Sequence, residues 1–87
     1  MSMKKIPMVV HYNFDGEVPV WLFDTEEEAV AELKKQFEAE LREANNLWGG
    51  DIKIESRISE NGKYAEIKEY FNDHTDTTEW AIGDIKN

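Results

Sequence analysis

Thr25–Leu47, TEEEAVAELKKQFEAELREANNL, is the longest stretch of the sequence with unbroken helical periodicity. Val30, Leu33, Phe37, Leu41, Ala44 and, just beyond, Trp48 follow at intervals of 3, 4, 4, 3 and 4 residues, which places them on one side of a helix. That is one buried stripe, and the rest of the chain is expected to pack against it. Thr25 reads as the N-cap and Glu28 as its capping-box partner, with Asp24 and Glu27 as the alternative pair. Glu26, Glu27 and Glu28 sit where the helix dipole favours negative charge. Gly49 is the expected stop, because glycine accepts the left-handed backbone that ends many helices. The outward face carries Lys34, Lys35, Glu38 and Arg42, a mixed, solvated surface.

Downstream of the helix, Ile52, Ile54 and Ile58 alternate with Lys53, Glu55 and Arg57, the clearest strand pattern in the sequence. Asn61-Gly62 then reads as a type I′ hairpin turn. Around that turn Arg57 falls opposite Glu66 and Glu55 opposite Lys68 on one face, while Ile58, Ser56 and Ile52 meet Ala65, Ile67 and Phe71 on the other. Glu69 breaks the pattern, since this register sets it on the apolar face beside Ile54. A bulge, or a position beyond the reach of the helix, would accommodate it. Asn72–Asp76 is turn-like, and Thr77–Ile85 supplies a fifth strand carrying Trp80 and Ile82 on one side.

Upstream, Met8–Phe14 and Val18–Phe23 read as strands flanking Asp15-Gly16, another hairpin signal. A two-residue turn there pairs Val10 with Trp21 and Tyr12 with Pro19. It groups Val10, Tyr12, Phe14, Trp21 and Phe23 on one face, and leaves Val9, His11, Val18, Val20 and Leu22 on the other. Both faces are largely apolar, yet a sheet covered by one helix needs only one such face. Three explanations stand side by side: a longer turn with a different register, a hairpin curled into the core, or an outer face that is an interface. Pro19 has no amide hydrogen for a ladder, which assigns its strand to a sheet edge.

The element order is ββαβββ, an α+β domain with a five-stranded, mainly antiparallel sheet and one long helix on one face. Strands two and three, joined through the helix, run parallel and are separated by strand one. The preferred strand order is 2-1-3-4-5, with 2-1-5-4-3 as the alternative; both keep Pro19 on an edge. The same connectivity gathers Asp15, Glu17, Asp51, Asp73, His74 and Asp76 at one end, an acidic pole with no lysine or arginine among its loops.

At 87 residues the chain has room for one domain and one modest core, with residues 1–5 read as a frayed terminus. Its 19 acidic and 10 basic residues give a net charge of −9, which disfavours direct binding to nucleic acid or anionic lipid. Lack of cysteine removes disulfides and thiolate chemistry and suits a reducing cytoplasm. The apolar run Ile6–Val10 is short and interrupted by Pro7, and nothing approaches the length of a membrane span. A soluble cytoplasmic protein is the expectation.

Chemical motifs are sparse. Asp73, His74, Asp76 and Glu79 cluster, but without the alternating ligands and glycine of a calcium loop or the three or four ligands of a zinc site. Ser2, Ser56 and Ser59 stand in no nucleophile motif with His11 or His74, and no glycine-rich phosphate loop precedes a helix. No catalytic residue, cofactor or metal is therefore expected. Trp21, Trp48 and Trp80 are generous for this length and suit a core or an interface. The expected function is a non-enzymatic protein-interaction or self-associating module, homodimeric or bound to a protein partner. Its candidate face is Val9, His11, Val18, Val20 and Leu22. The alternative is an acidic, phage-type inhibitor that imitates nucleic-acid phosphates at the pole formed by Asp15, Glu17, Asp51, Asp73 and Asp76.

Overall fold

The structure, a computed structural model, describes residues 5–12 and 20–83. Strands β1 (Ile6–Tyr12) and β2 (Val20–Phe23) lead into helix α1 (Glu26–Trp48), followed by β3 (Lys53–Ile58), β4 (Tyr64–Tyr70) and β5 (Thr75–Ile82). The expected α+β architecture is present: one five-stranded sheet, every neighbouring pair antiparallel, with one helix on one face.

The strand order is β2-β1-β5-β4-β3, the alternative of the two orders rather than the preferred one. Hydrophobic burial accounts for the choice. With β5 central, Trp80 lies between Val10 on β1 and Ala65 on β4, and all three are buried. The other order would leave Trp80 on an edge strand and bring the charged residues Lys53, Glu55 and Arg57 into the middle of the sheet.

Thr25 caps the helix as expected: the Glu28 amide donates to Thr25 Oγ1 at 3.1 Å and the Thr25 amide to Glu28 Oε1 at 3.3 Å. The buried stripe is Ala29, Leu33, Phe37 and Ala44, with Leu41 packed at its margin. Trp48 is more exposed than a core residue and meets Phe71 edge-on, ring centroids 5.2 Å apart. The helix ends differently from expectation. Gly49 has φ −55°, and positive φ falls on Gly50. Gly49 is needed for close approach instead, since a Cβ there would stand 2.3 Å from the Asn45 carbonyl oxygen.

Under the helix, Met8, Val10, Leu33, Phe37, Ala65, Ile67 and Trp80 form one core. Phe37 meets the Trp80 ring edge-on at 5.9 Å, and the Trp80 indole N–H donates to Gln36 Oε1 at 3.2 Å, which satisfies the polar atom the burial would otherwise strand. Lys5, assigned to the frayed terminus, is anchored by an ion pair with Asp24.

The β3–β4 register is the expected one, Arg57 opposite Glu66 and Glu55 opposite Lys68. Its turn is not type I′, because among the described residues none other than glycine has positive φ. The ladder closes through the Ser59 amide to the Tyr64 carbonyl at 2.8 Å, and Gly62, at φ 72°, donates to the Ser59 carbonyl at 3.0 Å. A four-residue loop therefore replaces the two-residue turn without changing the pairing. The ladder ends at Lys53 and Tyr70, while Ile52 bridges to Gly49 instead of pairing with Phe71.

The β1–β2 register differs from expectation by two residues: Met8, not Val10, lies opposite Trp21, and Ile6 opposite Phe23. The Asp15-Gly16 turn itself, with Phe14, Val18 and Pro19, lies outside the described residues. A shift of two preserves the faces, so Val10, Tyr12, Trp21 and Phe23 share one face as expected; it is the helix side, and Met8 joins them there.

Candidate functional site

Alternation and register place Val9, His11, Val20 and Leu22 together on the face of the sheet that the helix leaves uncovered. Val18 lies outside the described residues. Val20 is 55% exposed and Leu22 62%, while Val9, one strand inward, is half-buried. Trp21, on the helix side of the same strand, is 38% exposed, because β2 is the edge strand and the helix stripe lies over the strands inside it.

Crossing the same face away from β2, the sheet becomes polar. His11, Glu79, Glu66 and Arg57 lie side by side on β1, β5, β4 and β3, one row across four strands. The Tyr64 hydroxyl stands 2.7 Å from Glu66 Oε1 and 2.8 Å from Glu79 Oε2. A phenol has one hydrogen, so it donates to one carboxylate at a time. Arg57 Nη2 approaches Glu66 Oε1 at 3.4 Å and Lys68 Nζ approaches Glu66 Oε2 at 3.6 Å, while His11 Nδ1 stands 3.9 Å from Glu79 Oε1. Glu66 is only 8% exposed. The Tyr64 hydrogen bond holds its carboxyl below the usual carboxylate range, with the Arg57 and Lys68 charges adding to the effect against burial. Burial raises the Tyr64 phenol, and the two carboxylates it faces push it further the same way.

A second set follows at the far end of the same hairpin. Tyr70 donates to Glu55 Oε1 at 2.6 Å, Lys53 pairs with Glu55 at 3.2 Å, and the Lys53 ammonium lies 5.7 Å from the centroid of the Tyr70 ring. A shallow depression runs along the β3–β4 hairpin past Glu55, Arg57, Glu66 and Lys68. Half of this arrangement is visible in the sequence, since Arg57 opposite Glu66 follows from the hairpin register. The junction with Tyr64 and Glu79 depends on β5 lying beside β4, which alternation alone does not decide.

The acidic pole is assembled in part. Asp51 follows the helix end, and Asp73 and His74 form the β4–β5 turn, closed by the Phe71 amide donating to the His74 carbonyl at 2.8 Å. Trp48, Phe71 and His74 pack in sequence there, the Phe71 and His74 rings stacked at 4.8 Å. Asp15 and Glu17 lie outside the described residues. Asp76 belongs to β5 rather than to the loop. His74 Nδ1 lies 2.5 Å from Asp73 Oδ1 and Nε2 3.4 Å from Asp76 Oδ1. The hydrogen bond to Asp73 raises the His74 imidazole, and the same bond lowers the Asp73 carboxyl. Glu79, grouped with these residues in the sequence, points to the opposite face of the sheet and belongs with Tyr64. Among the described residues no set of three His, Asp or Glu side chains is disposed to hold a metal ion.

Glu69 is neither bulged out nor clear of the helix. It pairs in register with Ile54 and Asp76 on the helix side. Burial raises its carboxyl, and Asp76, Glu40 and Glu43 add like charge. Burial and Glu43 raise Glu40 in the same way.

Compared with protein-family models, curated proteins and solved structures, the chain matches none of them.

Proposed function

We propose that the chain is a non-enzymatic protein-interaction module whose binding surface is the uncovered outer face of β1 and β2. The observation that carries this reading is the exposure of Val20 and Leu22, at 55% and 62%, beside Val9 on a sheet face with no layer over it among the described residues. A contiguous apolar patch of this kind marks a binding surface more often than a passive one. The polar half of the same face supports a non-enzymatic reading, because Tyr64, Glu66, Arg57 and Lys68 neutralise one another on an open sheet rather than around an enclosed cavity. No helix among the described residues is long and apolar enough to cross a membrane. With the absence of cysteine, this favours a cytoplasmic setting.

The test compares the wild-type chain with Val20→Glu, measuring thermal midpoint, solution mass and retention of proteins on immobilised chain. Association present in the wild type and lost in Val20→Glu at unchanged midpoint supports the reading. A wild type that is monomeric at high concentration, and a variant that loses neither stability nor a retained protein, overturns it.

The acidic inhibitor remains the second reading, favoured by seven glutamates on α1 against Lys34, Lys35 and Arg42. Those three cations interrupt the surface a phosphate mimic needs. Failure to retain any basic nucleic-acid-binding protein at low salt removes it.

A further inference from the structure

Resting on the interaction reading above, we infer that a second copy of the chain docks along the β2 border of this surface, by antiparallel pairing of β2 with β2 into one continuous sheet. Two features of the fold lead there.

The first is a contrast between the two edges. An edge strand offers unpaired amides and carbonyls to another chain, and proteins guard such edges with charge. The β3 edge is guarded by Lys53, Glu55 and Arg57. The β2 edge reads Val20, Trp21, Leu22, Phe23, four apolar residues without a charge, and three of them are exposed.

The second is charge. At −9 the chain repels its own copies over most of its surface, and α1 alone carries seven acids against three bases. On the uncovered face the described residues balance: Lys53, Arg57 and Lys68 against Glu55, Glu66 and Glu79. An uncharged strand bordering a balanced face is where two copies meet with least repulsion. A basic protein would instead be drawn to the helix side.

Symmetry then fixes the register. A two-fold axis perpendicular to the sheet pairs antiparallel strands and keeps both helices on the same side. Centred on Trp21, it sets Val20 of one copy opposite Leu22 of the other and Trp21 opposite Trp21, so every exposed apolar residue of β2 meets another. Centred on Leu22, it would set Val20 against Asp24. Centred on Val20, it would set Trp21 and Leu22 against residues outside β2. The Trp21 register is self-complementary and is the one assigned. Val9, Val20 and Leu22 of both copies then form one apolar strip across the joined sheet.

Because the chain has no cysteine, single-cysteine variants report this geometry directly. Residues directly opposite in an antiparallel pair have Cα atoms about 4.5 to 5.5 Å apart, within disulfide range. Trp21→Cys in the full chain is expected to form a covalent dimer under mild oxidation several-fold faster than Ile58→Cys on the guarded β3 edge. Sedimentation equilibrium of the unmodified chain is expected to show mass rising with concentration from 10.2 kDa toward twice that value, and Leu22→Lys to abolish the rise. Equal cross-linking at both edges, or a strict monomer up to millimolar concentration, overturns the pairing. If the unmodified chain is monomeric yet retains another protein that Val20→Glu loses, the second-copy inference fails while the interaction surface stands. If both are absent, both fail.

Discussion

The two outer strand pairs of the sheet, β3–β4 and β1–β2, use their uncovered faces in opposite ways. On β3–β4 each tyrosine is tied to a carboxylate and flanked by a cation: Tyr64 with Glu66 and Arg57, Tyr70 with Glu55 and Lys53. That face is complete within one chain. On β1–β2 the outward residues Val20 and Leu22 lie in the open, and satisfying them requires something from outside. Polar groups that pair locally fix a register and close a surface, whereas an apolar edge leaves both unresolved.

Both pairs rest on one core, and Trp80, at its centre, carries the largest expected effect. Its ring lies on β5 between them and packs against Phe37 of the helix. Trp80→Ala is expected to cost about 3 to 5 kcal/mol in chemical denaturation, the range for deleting a fully buried large aromatic. Amide exchange of β1 and β4 should accelerate together. Loss of protection confined to β1–β2 would show two units rather than one, and the contrast between the pairs would then reflect unequal stability.

Next in size is the polar half. Tyr64→Phe removes the hydroxyl while keeping the ring, leaving Glu66, 8% exposed, without its shortest hydrogen bond. The expected cost is about 1 to 3 kcal/mol, that of a buried acceptor losing its donor. The pH dependence separates this from a packing effect. Because the folded Glu66 carboxyl lies below its ordinary range, its stabilising contribution is fully present above about pH 5 and is lost as pH falls through the depressed folded value. Tyr64→Phe should therefore flatten the acid limb of the stability curve. A variant whose midpoint falls equally at all pH values would show the hydroxyl to be incidental.

The contrast also governs what was readable from the amino-acid order. The β3–β4 register was legible because charge and hydrophobicity agreed, with Arg57 opposite Glu66 on one face and Ile58 opposite Ala65 on the other. A one-residue slip there buries a charge. On β1–β2 both faces are apolar, so the two-residue displacement that pairs Met8 with Trp21 violates no pattern. A shift of two keeps the alternation, so the same residues face the helix in either register. Strand order was undecided for a related reason: both orders satisfy connectivity and Pro19, and the choice rests on how deeply Trp80 is buried, a three-dimensional quantity. The Tyr64–Glu79 contact follows from that order and could not precede it. Glu69 was legible as a conflict, and it is one, held in register on the helix side among acids.

That conflict yields a smaller effect of opposite sign. Glu69 faces Asp76 from β5 and Glu40 and Glu43 from α1, and burial together with these charges raises its carboxyl. A raised carboxyl destabilises the fold at neutral pH, and the penalty is relieved as pH falls through the raised folded value toward the unfolded one. Glu69→Gln is expected to stabilise the chain at pH 7 by about 0.5 kcal/mol, comparable to relief of a like-charge pair. The gain should vanish below about pH 4, where the unfolded carboxyl is also protonated. A gain that persists into acid would trace to packing against Ile54 instead. The two hairpins would then no longer differ in how they handle charge.

The smallest effect is the most informative about the apolar half. Val20→Thr keeps the β-branched shape that suits a strand and exchanges one methyl for a hydroxyl. At a position 55% exposed in the chain alone, the hydroxyl meets water and the expected change in unfolding free energy at low concentration is under about 0.5 kcal/mol. In a face covered by the same chain, the hydroxyl would be buried without a partner, and the cost would rise to about 1 to 3 kcal/mol. Denaturation of Val20→Thr at two protein concentrations therefore decides between the descriptions. A negligible cost when dilute that grows with concentration locates the missing cover in a second molecule. A large cost at both would mean that the chain covers this face itself, and the difference between its two edges would disappear.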